Sequence, residues 1–351
     1  MNNKFLVKAA AVAAVFGLTA TATPAFAAEA IAGKGSSFAN GALQYCLSHW
    51  DPSSNDTATY TSTGSGTGRS EFAKGAVDWA ATDGVYGSSE TAPASFMTVP
   101  LLGGPVVFAY NKSSGIPAGL KLDAAAVSGI LKGTIAKWND KAIAKLNPGK
   151  KLPAKSIVTF YRDASGTTEN LTNYLLQNVP SAGWTKSKDL TAQVKATNPN
   201  ATVKATSSVL ADKVQNTKYA FGYFDLSDAV TAKVAYAALK NAAGDFVVPS
   251  AASGAKFLAG QTTVVDSNSP KTDGSLTIDF TKKIKGAYQL TIVTYGLAPK
   301  NATTAKAAAV EGWFTYVVKT CMPTKAASLG YVALPKNLRD AALAQIANIS
   351  K

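Results

Sequence analysis

Three short Ser/Thr/Gly segments each precede a helical pattern: Gly35-Ser36-Ser37-Phe38, Gly64-Ser65-Gly66-Thr67-Gly68 and Ser165-Gly166-Thr167-Thr168. A helix N-terminus carries unpaired N–H groups and about half a positive charge, so it receives anions. Glycine lets the backbone approach closely, and hydroxyls add donors. One such loop reads as an ordinary helix cap. Three of them, the last just after Arg162, outline a cradle for a small oxyanion. Asp83 follows the second loop and its helix in Val77-Asp78-Trp79-Ala80-Ala81-Thr82-Asp83-Gly84. A carboxylate only accepts, so it suits an anion that still carries a proton. Hydrogen phosphate can donate to it, whereas sulfate, fully ionised near neutral pH, meets an unpaired, repulsive contact. Read alone, Asp83 is more readily a turn or cap residue.

The elements that must position these groups alternate. Strand-like runs occur at Val106–Tyr110, Ile157–Tyr161, Val234–Ala237 and Leu290–Tyr295, with helical patterns between them. This predicts an α/β architecture. Asp123 caps a helix to about Leu131 with Gly133 beyond its end, and Asn139 caps another that stops at Asn147-Pro148-Gly149. From Thr304 to Cys321, Val310, Phe314, Val317 and Cys321 recur at three- and four-residue spacing on one apolar face. Lys256 to Ser275, rich in Gly, Ser, Thr, Asn and Asp, reads as loop. No single linker divides the chain, which suits repeated crossing between two lobes.

The 351 residues exceed one small domain, and 46% hydrophobic with 16% charged residues is ordinary for a globular protein. Lys4 and Lys8 flank an apolar run from Ala9 to Ala22 that ends at Ala25-Phe26-Ala27. This is the pattern of an export signal, with cleavage expected after Ala27. No cysteine lies there to take a lipid, so a periplasmic or extracellular mature protein without a lipid anchor is expected. The formal charge of +14 falls to +12 when the two signal lysines go (14 − 2 = 12). Such a field steers anions, or binds an anionic envelope. The lysines are scattered with no basic-aromatic platform, which excludes nucleic acid as the expected partner. Cys46 and Cys321 are the only cysteines and read as one disulfide, or as two buried thiols.

The chain also resembles the phosphate-binding proteins of the phosphate-specific ABC transporter, over nearly its whole mature length. The similarity lies in Ile31-Ala32-Gly33-Lys34-Gly35-Ser36-Ser37-Phe38, Tyr60 to Gly68, Val77 to Asp83 and Leu101-Leu102-Gly103-Gly104-Pro105-Val106-Val107. It continues through Ile130 to Gly149 around Lys137-Trp138-Asn139-Asp140-Lys141-Ala142-Ile143, Ser165 to Thr167, Gly222-Tyr223 and Gly330-Tyr331-Val332-Ala333-Leu334-Pro335. The resemblance implies a two-lobed periplasmic binding protein (Venus-flytrap) fold, with residues 28–110 plus 287–351 as lobe 1 and 111–286 as lobe 2. It implies that inorganic phosphate is held between the lobes by Ser37, Phe38, Ser65, Asp83, Arg162, Ser165, Gly166 and Thr167. It further implies delivery to a membrane permease by a monomer that needs no cofactor or metal.

Three departures bear on the site. Two residues, Asp163 and Ala164, separate Arg162 from the Ser-Gly-Thr triplet where the family has three. Either the loop is shorter, or Arg162 points elsewhere and a lysine substitutes. The family's Gly-Asn-x-Gly helix start reads Thr206-Ser207-Ser208-Val209, and Ser37 replaces a usual threonine. Two other readings stand beside phosphate capture. A hydrolase lacks an evident base, because the only histidine, His49, sits beside Trp50 at the end of a helix. An envelope-binding protein could keep the fold and lose the anion.

Overall fold

The computed structural model describes residues 27–261 and 274–351. The export signal lies outside them except for Ala27. In chain order the strands are β1 (Ala30–Gly35), β2 (Thr57–Ser62), β3 (Trp79–Thr82), β4 (Met97–Tyr110), β5 (Lys121–Leu122) and β6 (Val158–Arg162). They continue with β7 (Thr202–Lys204), β8 (Ala220–Asp225), β9 (Ala235–Tyr236), β10 (Ala238–Lys240), β11 (Phe246–Val247) and β12 (Thr291–Ala298). Among the described residues, nine strands form a sheet of order β2-β1-β3-β12-β4-β8-β6-β7, with β9 also paired to β4. A second sheet has the order β11-β10-β5.

The 14-residue strand β4 joins the two lobes. Residues Met97–Pro105 pair antiparallel with β12, and Val106–Tyr110 pair antiparallel with β8. All of β4 is buried, which is why it reads as a continuous apolar run instead of an alternating one. On one side of it, β1 runs parallel to both β2 and β3. On the other, β6 runs parallel to β7 and β8.

Parallel neighbours need crossovers, and here helices supply them. Helix α1 (Asn40–Leu47) follows β1 and α2 (Ser65–Ala73) follows β2. Then come α3 (Ala124–Lys132), α4 (Lys141–Leu146), α5 (Gly166–Asn178) after β6, α6 (Thr191–Val194), and α7 (Ser207–Asn216) after β7. Each crossover helix starts at the carboxyl end of a parallel strand, where α/β sheets place their ligand crevices. Four helix N-termini, those of α1, α2, α5 and α7, are thus directed to the gap between the lobes.

Close packing of α2 on β1 depends on two glycines. A Cβ on Gly68 would lie 2.5 Å from the Gly35 Cα, and one on Gly35, at φ +137°, would lie 2.0 Å from the Ala81 carbonyl. The main core holds Trp79, Trp138, Trp184 and Trp313, while Leu210, Val214, Val107 and Phe224 form a separate cluster under α7.

The expected elements are largely present. The Asp123 side chain accepts from the Ala126 N–H to cap α3, and Gly133 ends it in the left-handed region. Asp140, not Asn139, caps α4. Asn139 lies in a turn closed by the Asp140 N–H on the Lys137 carbonyl, which leaves the Asp140 carboxylate to accept from Ala142 N–H at 2.8 Å. The run Val234–Ala237 contains β9, and β10 begins one residue beyond it. The loop expected from Lys256 is corrected at its start: Lys256 belongs to α9 (Ala251–Ala259), which follows α8 (Leu226–Thr231). Ser250 and Ser253 cap α9 reciprocally, and Phe257 and Leu258 are buried. These apolar contacts outweigh the loop-like composition. Residues 262–273 of that stretch lie outside the described residues.

The C-terminal face forms α10 (Ala305–Tyr316) and runs on through a π turn to Cys321. Helices α11 (Met322–Lys325) and α12 (Lys336–Ile346) complete the chain. Cys46 of α1 and Cys321 are joined in a disulfide that spans 275 residues.

Candidate functional site

Asp83 follows the end of β3 and is buried, at 3% exposure. Its Oδ1 accepts from the Ser36 hydroxyl at 2.6 Å and the Thr294 hydroxyl at 2.7 Å. Its Oδ2 accepts from the Ser65 hydroxyl at a longer 3.3 Å. The proton directions follow from the neighbours. Ser36 Oγ already accepts from the Ala39 N–H, and Ser65 Oγ accepts from the Asp83 N–H, so each hydroxyl proton is available to the carboxylate. Burial pushes the Asp83 carboxyl up from its ordinary value; the Ser36 and Thr294 hydroxyls, the Arg162 charge and the Ser65 hydroxyl oppose that.

Arg162 ends β6 and is 1% exposed. Its Nη1 donates to the Ser207 hydroxyl at 3.1 Å and the Thr167 hydroxyl at 3.5 Å. Its Nη2 lies 3.7 Å from where a Cβ on Gly64 would sit, at the start of α2. The side chain therefore points into the gap. The loop turns with Ala164 at φ +49°. Asp163 faces away and accepts from the Leu190 and Thr191 N–H groups at 2.6 and 3.0 Å. Buried Nε has no hydrogen-bond partner in the structure. Burial draws the Arg162 guanidinium down from its ordinary value, against Tyr223, Asp83, Asp225 and Asp228. A guanidinium stays charged in proteins even so.

The lobes meet at this point. The Ser207 N–H, first in α7, donates to Ser37 Oγ at 3.1 Å, and the Gly66 N–H of α2 donates to the Ala164 carbonyl at 3.0 Å. Asn170 of α5 donates to the Asp83 carbonyl at 2.5 Å. At Gly166 a Cβ would lie 2.5 Å from Ser65 Oγ and 2.8 Å from the Asp83 Cβ. Beside this gap, charges alternate across the lobes. Arg69 pairs with Glu90 at 3.1 Å and Glu169 at 3.5 Å, while Lys188 reaches Glu90 at 2.7 Å and Lys186 reaches Glu169 at 3.2 Å.

The structure thus brings Ser37, Ser65, Asp83, Arg162, Gly166 and Thr167 together. Phe38 is buried, with its ring edge-on to Tyr331 and its carbonyl accepting from the Tyr331 hydroxyl at 2.8 Å. Its N–H lies in the turn before α1. The Ser165 hydroxyl accepts from Thr168 N–H at 3.2 Å and caps α5. His49 stacks on Tyr45, with its Nδ1 2.9 Å from the Tyr45 carbonyl.

Sequence reasoning assigned no role to Ser36, Asn170, Ser207 or Thr294. Ser36 lies within the first loop and Ser207 at a recognised helix start, so both carried a signal. Thr294 lies in mid-strand, 211 residues from Asp83, and carried none.

A family profile described as a PBP superfamily domain matches residues 20–320. The phosphate-binding protein PstS of Xylella fastidiosa (strain Temecula1) is 32% identical over 310 residues, 88% of this chain and 82% of that protein. This chain belongs to the PBP superfamily, among the PstS phosphate-binding proteins. Its fold matches a high-affinity periplasmic phosphate-binding protein solved with phosphate bound, at TM-score 0.71 and 19% identity, covering 90% of this chain and 93% of that one. A substrate-binding protein of a putative phosphate ABC transporter from Clostridium perfringens, also with bound phosphate, matches at TM-score 0.61 and 13% identity. That match covers 87% of this chain and all (100%) of the other. Among the described residues, no helix is long and apolar enough to cross a membrane.

Proposed function

We propose that this protein captures inorganic phosphate outside the cytoplasm and delivers it to the permease of an ABC transporter. The observation that carries this reading is the pairing of a buried, hydroxyl-held carboxylate, Asp83, with a buried guanidinium, Arg162, between four helix starts. Cationic and neutral donors neutralise the anion, while the one acceptor reads its proton.

Ser37 and Phe38 contribute at the start of α1 and Ser65 at the start of α2. Arg162 supplies the charge, and Ser165, Gly166 and Thr167 approach from α5. Phosphate enters between open lobes and bridges them, which shifts the population to the closed form. The lobes divide as residues 28–110 plus 287–351 and 111–286, with motion hinged where β4 passes from one to the other.

Binding, not catalysis, is the proposed role: the relatives are phosphate-binding proteins, and the hydroxyls of Ser36 and Ser65 serve to hold the Asp83 carboxylate. The mature protein is exported, freed after Ala27, and acts as a monomer. The named relatives support the ligand and the transporter: both structures hold bound phosphate, and one is a substrate-binding protein of a putative phosphate ABC transporter.

Isothermal titration of phosphate-stripped mature protein near neutral pH tests the reading. One-to-one heat with phosphate and none with sulfate is expected. No heat with phosphate would overturn it and favour an envelope-binding role for the basic surface.

A further inference from the structure

The Asp83 carboxylate is held unevenly. Two short hydroxyl bonds, from Ser36 and Thr294, converge on Oδ1, while Oδ2 has only the long contact from Ser65. A carboxylate oxygen has about two lone-pair sites, so Oδ1 is filled and Oδ2 retains acceptor capacity. Thr294 is fully buried in β12, whose next residue, Tyr295, pairs with Thr82 beside Asp83. Ser36 is also fully buried, and its backbone is fixed by its N–H on the Ala81 carbonyl at 2.7 Å and by the Tyr60 hydroxyl on its own carbonyl at 2.6 Å. Neither donor is free to turn away.

We propose that Ser36 and Thr294 are positioning residues that keep Asp83 ionised and present Oδ2 as the acceptor for the anion's proton. They thereby set discrimination against a fully deprotonated anion. This rests on the reading of the gap as a phosphate site. Without the two hydroxyls, a buried carboxyl takes up a proton more readily. Protonated, it becomes a donor, so it loses its bond from hydrogen phosphate and no longer repels sulfate.

The charged and titratable groups facing Asp83 are few. Arg162 approaches from β6, Tyr60 from β2 and Tyr295 from β12, and Glu169 of α5 lies against Gly84. Arg162 favours the ionised form. Glu169 is already engaged by Arg69 and Lys186. The two tyrosines have values raised by burial, so they stay neutral across the acid range.

Thr294→Val removes one donor at nearly constant volume, and Thr294→Ser restores it. A hydrogen bond to a charged acceptor is worth about tenfold in an equilibrium, equivalent to about one pH unit. In the empty protein, the carboxyl carbon of Asp83 is followed by NMR as pH is lowered. Its midpoint is expected to rise by about one unit in Thr294→Val, rise likewise in Ser36→Ala, and return in Thr294→Ser. Phosphate titrations should show the acid limb of binding moved upward by a similar amount, and sulfate should begin to compete in mildly acidic buffer.

An unmoved Asp83 midpoint in Thr294→Val would overturn the proposal, even if wild-type protein binds phosphate normally. So would equal loss of phosphate affinity at every pH. Failure of the wild type to bind phosphate would overturn the phosphate reading, whereas the NMR midpoints still report whether these hydroxyls hold the carboxylate ionised.

Discussion

Replacing Arg162 by Met separates what the guanidinium does for the anion from what it does for the fold. The side chain is 1% exposed, and among the described residues its hydrogen bonds to side chains run from Nη1 to the neutral hydroxyls of Ser207 and Thr167. Nε is buried without a partner. Burial makes the charge costly to the empty protein, and Asp83, Asp225 and Asp228 offset that in part. Met fills much of the volume without a charge but takes its attraction away from buried Asp83 and Asp225, so the empty protein should lose no more than about 2 kcal/mol of stability. Binding should respond differently. A charge-assisted hydrogen bond is worth about 1.5–3 kcal/mol, and unit charges 4 Å apart attract by roughly 4 kcal/mol at an effective dielectric of 20. Taking ~3–4 kcal/mol, the dissociation constant for phosphate should rise roughly 200- to 1,000-fold. Calorimetry reads the affinity, and urea unfolding of phosphate-free protein reads the stability. A phosphate affinity within about threefold of wild type would refute the placement of Arg162 on the anion. A large loss of stability without ligand would show that the guanidinium chiefly holds the lobe together.

Four further outcomes are expected. Gly166→Ala places a methyl group 2.5 Å from Ser65 Oγ and should hold the lobes apart; phosphate should bind at least about tenfold more weakly, with melting of the empty protein little changed. Lys188→Ala removes one link of the charge chain between the lobes. Because Lys188 is 31% exposed, the loss should be below ~1 kcal/mol, a few-fold in affinity, and should vanish in high salt when titrated there. Glu90 is lowered overall: burial raises it, but Lys188 and Arg69 outweigh that. Its contribution to closure is therefore present above the usual carboxylate range and lost as pH falls through its lowered value, which Glu90→Gln should abolish in an affinity–pH profile. The Cys46→Ser/Cys321→Ser variant should lose about 2–5 kcal/mol of stability in denaturant titrations, since the bridge closes a 275-residue span; an unchanged midpoint would contradict this.

Much of the arrangement was legible because it is written locally. Glycine, Ser and Thr before a helix mark an N-terminus wherever they occur, so the starts of α2 and α5 were readable, as were the cap at Asp123 and the face from Val310 to Cys321. Asp83 and Arg162 were candidates by type and neighbours, yet the aim of Arg162 was open. It depends on Ala164 taking a positive φ and on Asp163 being drawn to the start of α6, and neither shows in a count of intervening residues. Thr294 was invisible for a different reason. A threonine in a buried strand suits that strand by β-propensity alone, and only the antiparallel pairing of β12 with β3 brings it to Asp83. The end of α9, from Lys256, was misjudged because small polar residues dominate the composition of that stretch, while two buried side chains, Phe257 and Leu258, decide the helix.

The measurement that tests the central claim most directly is a crystal structure of the mature protein saturated with phosphate. The account predicts one anion between the lobes, with Arg162 and the starts of α1, α2 and α5 as donors. One protonated phosphate oxygen should lie within hydrogen-bond reach of Asp83 Oδ2, while Oδ1 stays on Ser36 and Thr294. Phosphate bound elsewhere, or bound here with Asp83 turned away from it, would contradict the account.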